Sequence, residues 1–99
     1  METRFTWDPV KADRNFRVHG ISFETAIEVF SDPNHLIQEN YFIEDQGEQR
    51  YGLLGMSYGL VLLLVIFVDR SDRNAETIHL ISARKADRYE QSAYEDQFG

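Results

Sequence analysis

The nine residues LVLLLVIFV, at positions 60–68, decide how this chain folds. Every one of them is apolar. A helix that crosses a bilayer needs about 20 such residues, so the run is too short to span one. It does not alternate between apolar and polar residues, and it is rich in branched side chains. That is the pattern of a central strand covered on both faces. A central strand needs partners on each side, and the flanking sequence supplies them.

Glu48 to Met56 reads as the preceding strand, with the turn at Tyr58-Gly59. Glu76 to Ala83 reads as the following one, after a polar loop from Asp69 to Asn74. A further strand is expected over His35 to Ile43, ending in the turn EDQG at 44–47. The short connections favour an antiparallel meander of four strands. Ahead of them lies RFTW at 4–7, a short aromatic stretch that suits a first strand. Asp8-Pro9 is a helix start, with Asp as N-cap and Pro in the first turn, and Gly20 is its stop after His19. Ala12, Asn15, Phe16 and His19 share one side of that helix, and Lys11, Arg14 and Arg17 fan across a neighbouring arc. Ser22 caps a second helix over about 23–31, with Phe23, Ala26, Ile27 and Phe30 as its apolar stripe and Asp32-Pro33-Asn34 as its end. Asp87-Arg88-Tyr89-Glu90 fits a capping box and predicts a last helix over 88–96. The order is a short strand, two helices, a four-stranded antiparallel sheet and a C-terminal helix, an α+β fold in a single domain over 1–99.

The chain has 99 residues, 42% of them hydrophobic, enough for one modest core. It has no cysteine, so disulfides and cysteine-rich zinc sites are excluded. The start METRFTWDP has no apolar signal-peptide core, and a cytoplasmic protein with no membrane association is expected. The net charge of −7 opposes nonspecific binding to nucleic acid. The acidity is regional, however. Residues 22–49 hold seven acids and no Lys or Arg, while the other ten acids balance all ten cations. A local basic site is compatible with that distribution.

Strand alternation places Ile78, Leu80, Ser82 and Arg84 on one face and His79, Ile81 and Ala83 on the other. Glu48, Arg50, Gly52 and Leu54 share a face of their own strand. If Arg50 and Arg84 point the same way, two guanidiniums flank an anion, for which their planar forks are suited. On spacing alone each feature also has a plainer reading. Glu48 and Arg50 serve equally as a solvent-facing pair, Arg84 and Lys85 as solubilising charges, and His19 as a structural residue. His19, His35 and His79 lack metal-ligand spacing, and no glycine-rich phosphate loop is present.

Three stretches taken together resemble the BrnT family of bacterial toxins. FTWDPVKADRNFRVHGISFETAIEVFSDP at 5–33 resembles the family's opening, EQRYGLLGMSYGLVLLLVIFVDR at 48–70 its middle, and IHLISARKADRYEQSAYE at 78–95 its tail. The resemblance implies a RelE-like fold and the toxin of a type II toxin–antitoxin pair, an endoribonuclease that arrests growth. It implies a BrnA-type antitoxin as partner and RNA as substrate. DNA would be reached only through the antitoxin's ribbon-helix-helix domain. Carried over by motif, the site residues are Lys11, His19, Glu48, Arg50, Arg70 and Arg84, with no cofactor and no metal. Arg50 and Arg84 would hold phosphate, supported by Arg70 and Lys11, and Glu48 or His19 would move the proton. Two positions depart from the pattern: His79 stands where the family often has Arg, and the last helix is more acidic. The alternative is a non-catalytic antitoxin-binding module or an inactive toxin. A hydrolase acting on another phosphate ester has no motif here. On the toxin reading Arg84→Ala abolishes growth arrest on expression and leaves the fold intact by circular dichroism. A folded, fully toxic variant would remove Arg84 from the site.

Overall fold

A computed structural model describes residues 2–39 and 47–99. The elements are β1 (Thr3–Thr6), α1 (Pro9–His19), α2 (Phe23–Ile27) with a 3₁₀ turn (Glu28–Ser31), β2 (Leu36–Glu39), β3 (Arg50–Ser57), β4 (Val61–Asp69), β5 (Glu76–Lys85) and α3 (Arg88–Asp96). They form one five-stranded sheet in the order β1-β5-β4-β3-β2. The nine-residue apolar run lies at its centre as β4, between β3 and β5. Strands β2 to β5 make the expected antiparallel meander. The sequence reading left the first strand outside that sheet. It joins as a fifth strand, parallel to β5, with Thr6 opposite His79. Four-residue segments gain stability only by pairing, and the outer edge of β5 is the position open to it.

Helices α1 and α3 have the expected bounds because both carry strong caps. Asp8 accepts from the Val10 amide at 2.9 Å, and Gly20 closes α1 at φ 73°. Asp87 and Glu90 form the full capping box of α3. The second helix is α only to Ile27 and then tightens into the 3₁₀ turn. The strand expected over His35–Ile43 is seen as Leu36–Glu39; residues 40–43, and all but Gly47 of the turn at 44–47, lie outside the described residues. Tyr58 and Gly59 both have positive φ and centre a turn closed by the Leu60 amide donating to the Ser57 carbonyl at 3.0 Å, within the three-residue connection of the β3–β4 hairpin.

The two faces of the sheet have separate cores. On one, Phe23, Ala26 and Val29 from the α2 segment pack on Leu53, Leu63, Val65, Phe67 and Leu80. On the other, Leu54, Leu64, Ala86 and Tyr94 gather beneath α3. Helix α3 is fastened by Arg84 to Glu90 near its start and by Tyr94 at its end, where the phenol donates to Asp32 at 2.6 Å. Burial, the Asp32 hydrogen bond and that carboxylate's charge push the Tyr94 pKa up to about 12.

The alternation expected along β5 fails at one point. Ile66 pairs with Ser82, but Phe67 pairs with Leu80, so Ile81 is an extra residue in a β-bulge. The bulge shifts the pattern by one. Ile78, Leu80 and Ala83 therefore face the α1–α2 core, and His79, Ser82 and Arg84 face the α3 side. Sequence alternation had put Ser82 and Arg84 with Ile78 and Leu80, and His79 with Ala83.

Among the described residues, the outer edge of β5 beyond Thr6 has no strand partner, and α1 meets it through one side chain. Asn15 is buried; its amide donates to the carbonyls of Ala83 (2.9 Å) and Ile21 (3.0 Å) and accepts from the Ala83 amide at 3.1 Å. The stripe expected on α1 is thus narrower than four residues, because Phe16 and His19 are exposed. Replacing Asn15 by Ala strands three buried backbone groups, and a loss on the order of 2–4 kcal/mol is expected in denaturant unfolding. An unchanged midpoint would show that water substitutes for the amide.

Candidate active site

At the end of the sheet where β3 begins and β4 ends, backbone pairing brings charged residues into adjacent rows on the α3 side. Arg50 lies opposite Val68, which lies opposite His79, which lies opposite Thr6. One step further out, Arg70 clamps Glu48 with a two-pronged contact, Nη2 to Oε1 at 2.9 Å and Nε to Oε2 at 3.1 Å. Both members are partly open to solvent. Arg50 is buried, with 4% of its surface exposed.

Charges in this cluster act on one another. The Arg70 hydrogen bonds hold the Glu48 carboxyl below its usual range, outweighing its loss of solvent, and the charges of Arg70, His79 and Arg50 add to that. Glu48 raises the Arg70 pKa in return. Burial lowers the His79 pKa, and the cations Arg70 and Lys11 lower it further, against the opposing pull of Glu48 and Asp8. His79 is therefore a neutral imidazole at pH 7. Its Nδ1 is 2.8 Å from the Thr6 hydroxyl, which orients the ring. Lys11 and Asp8 reach this region because α1 starts directly after β1, beside His79.

Four of the six expected residues, Lys11, Glu48, Arg50 and Arg70, thus meet at one sheet end. Arg84 shares their face, since Leu54, Leu64 and Arg84 are mutually opposite, but it stands two rows along the sheet and binds Glu90 at 2.8 and 2.9 Å. His19 stands apart. It is exposed at the far end of α1, about 12 Å along the helix axis from Lys11. Sequence reasoning did not select His79, Thr6 or Asp8. The adjacent apolar pair Leu80-Ile81 was the one local trace of the bulge that turns His79 toward the site. Among the described residues, no group of three or more His, Asp or Glu side chains is placed to hold a metal ion, and no helix is long and apolar enough to cross a membrane.

The family model for the ribonuclease toxin BrnT of type II toxin–antitoxin systems matches residues 7–90. This chain belongs to the BrnT toxin family. The fold agrees. The 1.1 Å crystal structure of the Brucella abortus ribonuclease toxin BrnT superposes with a TM-score of 0.61 at 24% identity, covering 88% of this chain and all of that one. A search of curated proteins gave no match. As a BrnT toxin of a type II system, the chain has an antitoxin as counterpart. The BrnT match runs from Trp7, ahead of the first helix, to Glu90, and so includes every residue of the charged cluster except Thr6.

The charges around His79 make its titration a test of the cluster. By NMR its pKa is expected below the usual 6.5 or so, lower still in Glu48→Gln and higher in Arg70→Gln. Its contribution to stability has a fixed sign. With the folded pKa depressed, the unfolded chain binds more protons, so that contribution is complete above about pH 6.5 and is lost as pH falls through the folded value. A normal His79 pKa, unmoved by either substitution, would separate it from Glu48 and Arg70.

Proposed function

We propose that this chain is a toxin that cleaves RNA without a metal ion, at the cluster of Lys11, Glu48, Arg50, Arg70 and His79, and that a BrnA-type antitoxin neutralises it. The observation that carries the reading is His79, oriented by Thr6 and in line with Arg50, set beside the Arg70–Glu48 clamp. Cleavage within RNA needs an acceptor for the 2′-hydroxyl proton and fixed positive charge for the phosphate. It also needs a proton for the departing 5′-oxygen.

In this reading His79 takes the 2′-hydroxyl proton as the 2′-oxygen bonds to phosphorus. The bond from phosphorus to the 5′-oxygen breaks, that oxygen takes a proton from solvent water, and His79 afterwards releases its proton to solvent. A 2′,3′-cyclic phosphate and a 5′-hydroxyl result. Glu48, with both oxygens held by Arg70, aims that guanidinium and does not carry the proton. The exposed cations Arg70 and Lys11 meet the phosphate, and buried Arg50 adds positive charge beneath it. This reverses the division expected from sequence, in which Arg50 led and Arg70 supported. Arg84, on the same face, is paired with Glu90 and stands outside the cluster. His19 has no part, being at the other end of α1. The antitoxin carries the DNA-binding function, and the chain itself acts in the cytoplasm.

Purified protein incubated with total RNA in chelator is expected to cleave it, and the products to carry cyclic phosphate ends. His79→Ala is expected to lose about 10²–10⁴-fold in rate while still binding the antitoxin. The acid limb of the pH–rate profile is expected at the depressed His79 pKa. Undiminished cleavage by folded His79→Ala would remove it from the reaction. Antitoxin binding without cleavage by the parent would leave a non-catalytic binding module.

A further inference from the structure

Next to the charged cluster, on the same face of the sheet, is a groove between α3 and the β2–β3 edge with a volume of about 330 Å³. Its floor is Gly52, Leu54 and Leu64, its sheet-side wall Leu36 and Gln38, and its helix side Tyr89 and Ala93 of α3. We propose that this groove is a nucleobase subsite, which receives the base of a nucleotide whose phosphate lies at Arg70 and Lys11. The proposal rests on the ribonuclease reading of the cluster and adds where the base goes.

Three features select that occupant. The first is position. Gly52 follows Arg50 by two residues on one face, about 7 Å along the strand. That is the spacing of one sugar between a phosphate and its base. The second is the floor. Gly52 carries no side chain, so a flat ring can lie against backbone and the flanking leucines. The third is Tyr89, which is 83% exposed at the rim and presents a ring for stacking. The groove also contains Asp87 and Glu90, which would repel a phosphate. Both are engaged, Asp87 by the Glu90 amide and Glu90 by Arg84 and the Asp87 amide. An uncharged base fits beside them, and a second phosphate does not. Two other grooves among the described residues lack this placement. One, floored by Phe5, Phe30 and Phe67, opens on the opposite face beneath Asp69 and Glu76. The other lies at Glu28, Asp32 and Tyr58, away from the cations.

The test is NMR titration of the whole chain with adenosine 3′-monophosphate, uridine 3′-monophosphate and inorganic phosphate. All three are expected to shift His79 and Arg70. Only the nucleotides are expected to shift Gly52, Leu54 and Ala93. Ala93→Leu fills the groove and is expected to abolish the second set while the phosphate response stays. Tyr89→Ala is expected to weaken nucleotide binding on the order of tenfold. Identical shift patterns for nucleotide and phosphate, or nucleotide binding unaffected by Ala93→Leu, would overturn the subsite. So would Ala93→Leu losing the antitoxin while keeping the nucleotide response, which would give the groove to the protein partner. Failure of the ribonuclease reading looks different: no phosphate response at His79 and no RNA cleavage.

Discussion

One extra residue in β5 sets what the rest of the molecule can do. β5 must bury Ile78 and Leu80 against the α1–α2 core and, three residues after Leu80, bury Ala83 on that same face. Strict alternation cannot do both, because odd and even positions point to opposite sides. Ile81 absorbs the mismatch as a bulge. Two consequences follow together. Ala83 presents its backbone to Asn15, which anchors the first helix. His79 turns to the α3 side, into line with Val68 and Arg50. Core, helix docking and the candidate site depend on the same irregularity.

The electrostatics of the site follow from its place in an acidic chain. Lys11, Arg50 and Arg70 come from α1, β3 and the loop after β4 and converge beside the clamped carboxylate of Glu48. Burial and, after it, the cations Arg70 and Lys11 raise the cost of protonating His79 and hold its pKa down. Of the acids in the stretch 22–49, Glu24, Glu28 and Glu39 lie on α2, the 3₁₀ turn and β2, and Glu48 is in the cluster itself. An anionic polymer is then repelled by the net charge of −7 and attracted by the cation cluster. That contrast orients encounters more than a uniformly basic surface does.

Much of this was legible in the residues. The ends of α1 and α3 were, because Asp8-Pro9, Gly20 and the Asp87–Glu90 box act locally. The central strand was, because nine consecutive apolar residues have few other homes. Lys11, Glu48, Arg50 and Arg70 were found through family motifs, since their spacing alone fits ordinary surface charges. What was not legible is long-range. The pairing of β1 with β5 joins residues more than 70 positions apart. The facing of His79 depends on a bulge that replaces strict alternation, and the distance of His19 from the site depends on how α1 crosses β5.

The contact of Asn15 with Ala83 has a further meaning. An uncovered strand edge is a template on which another chain can add a strand, the first step toward misassembly. β5 outruns its short neighbour β1, and such an edge would open there. The Asn15 amide offers one donor and one acceptor to Ala83, as a neighbouring strand would. The chain thereby caps its own sheet with a single helical side chain. Any event that lifts α1 away both disassembles the candidate site at Lys11 and bares a sticky edge, so loss of activity and self-association would set in together.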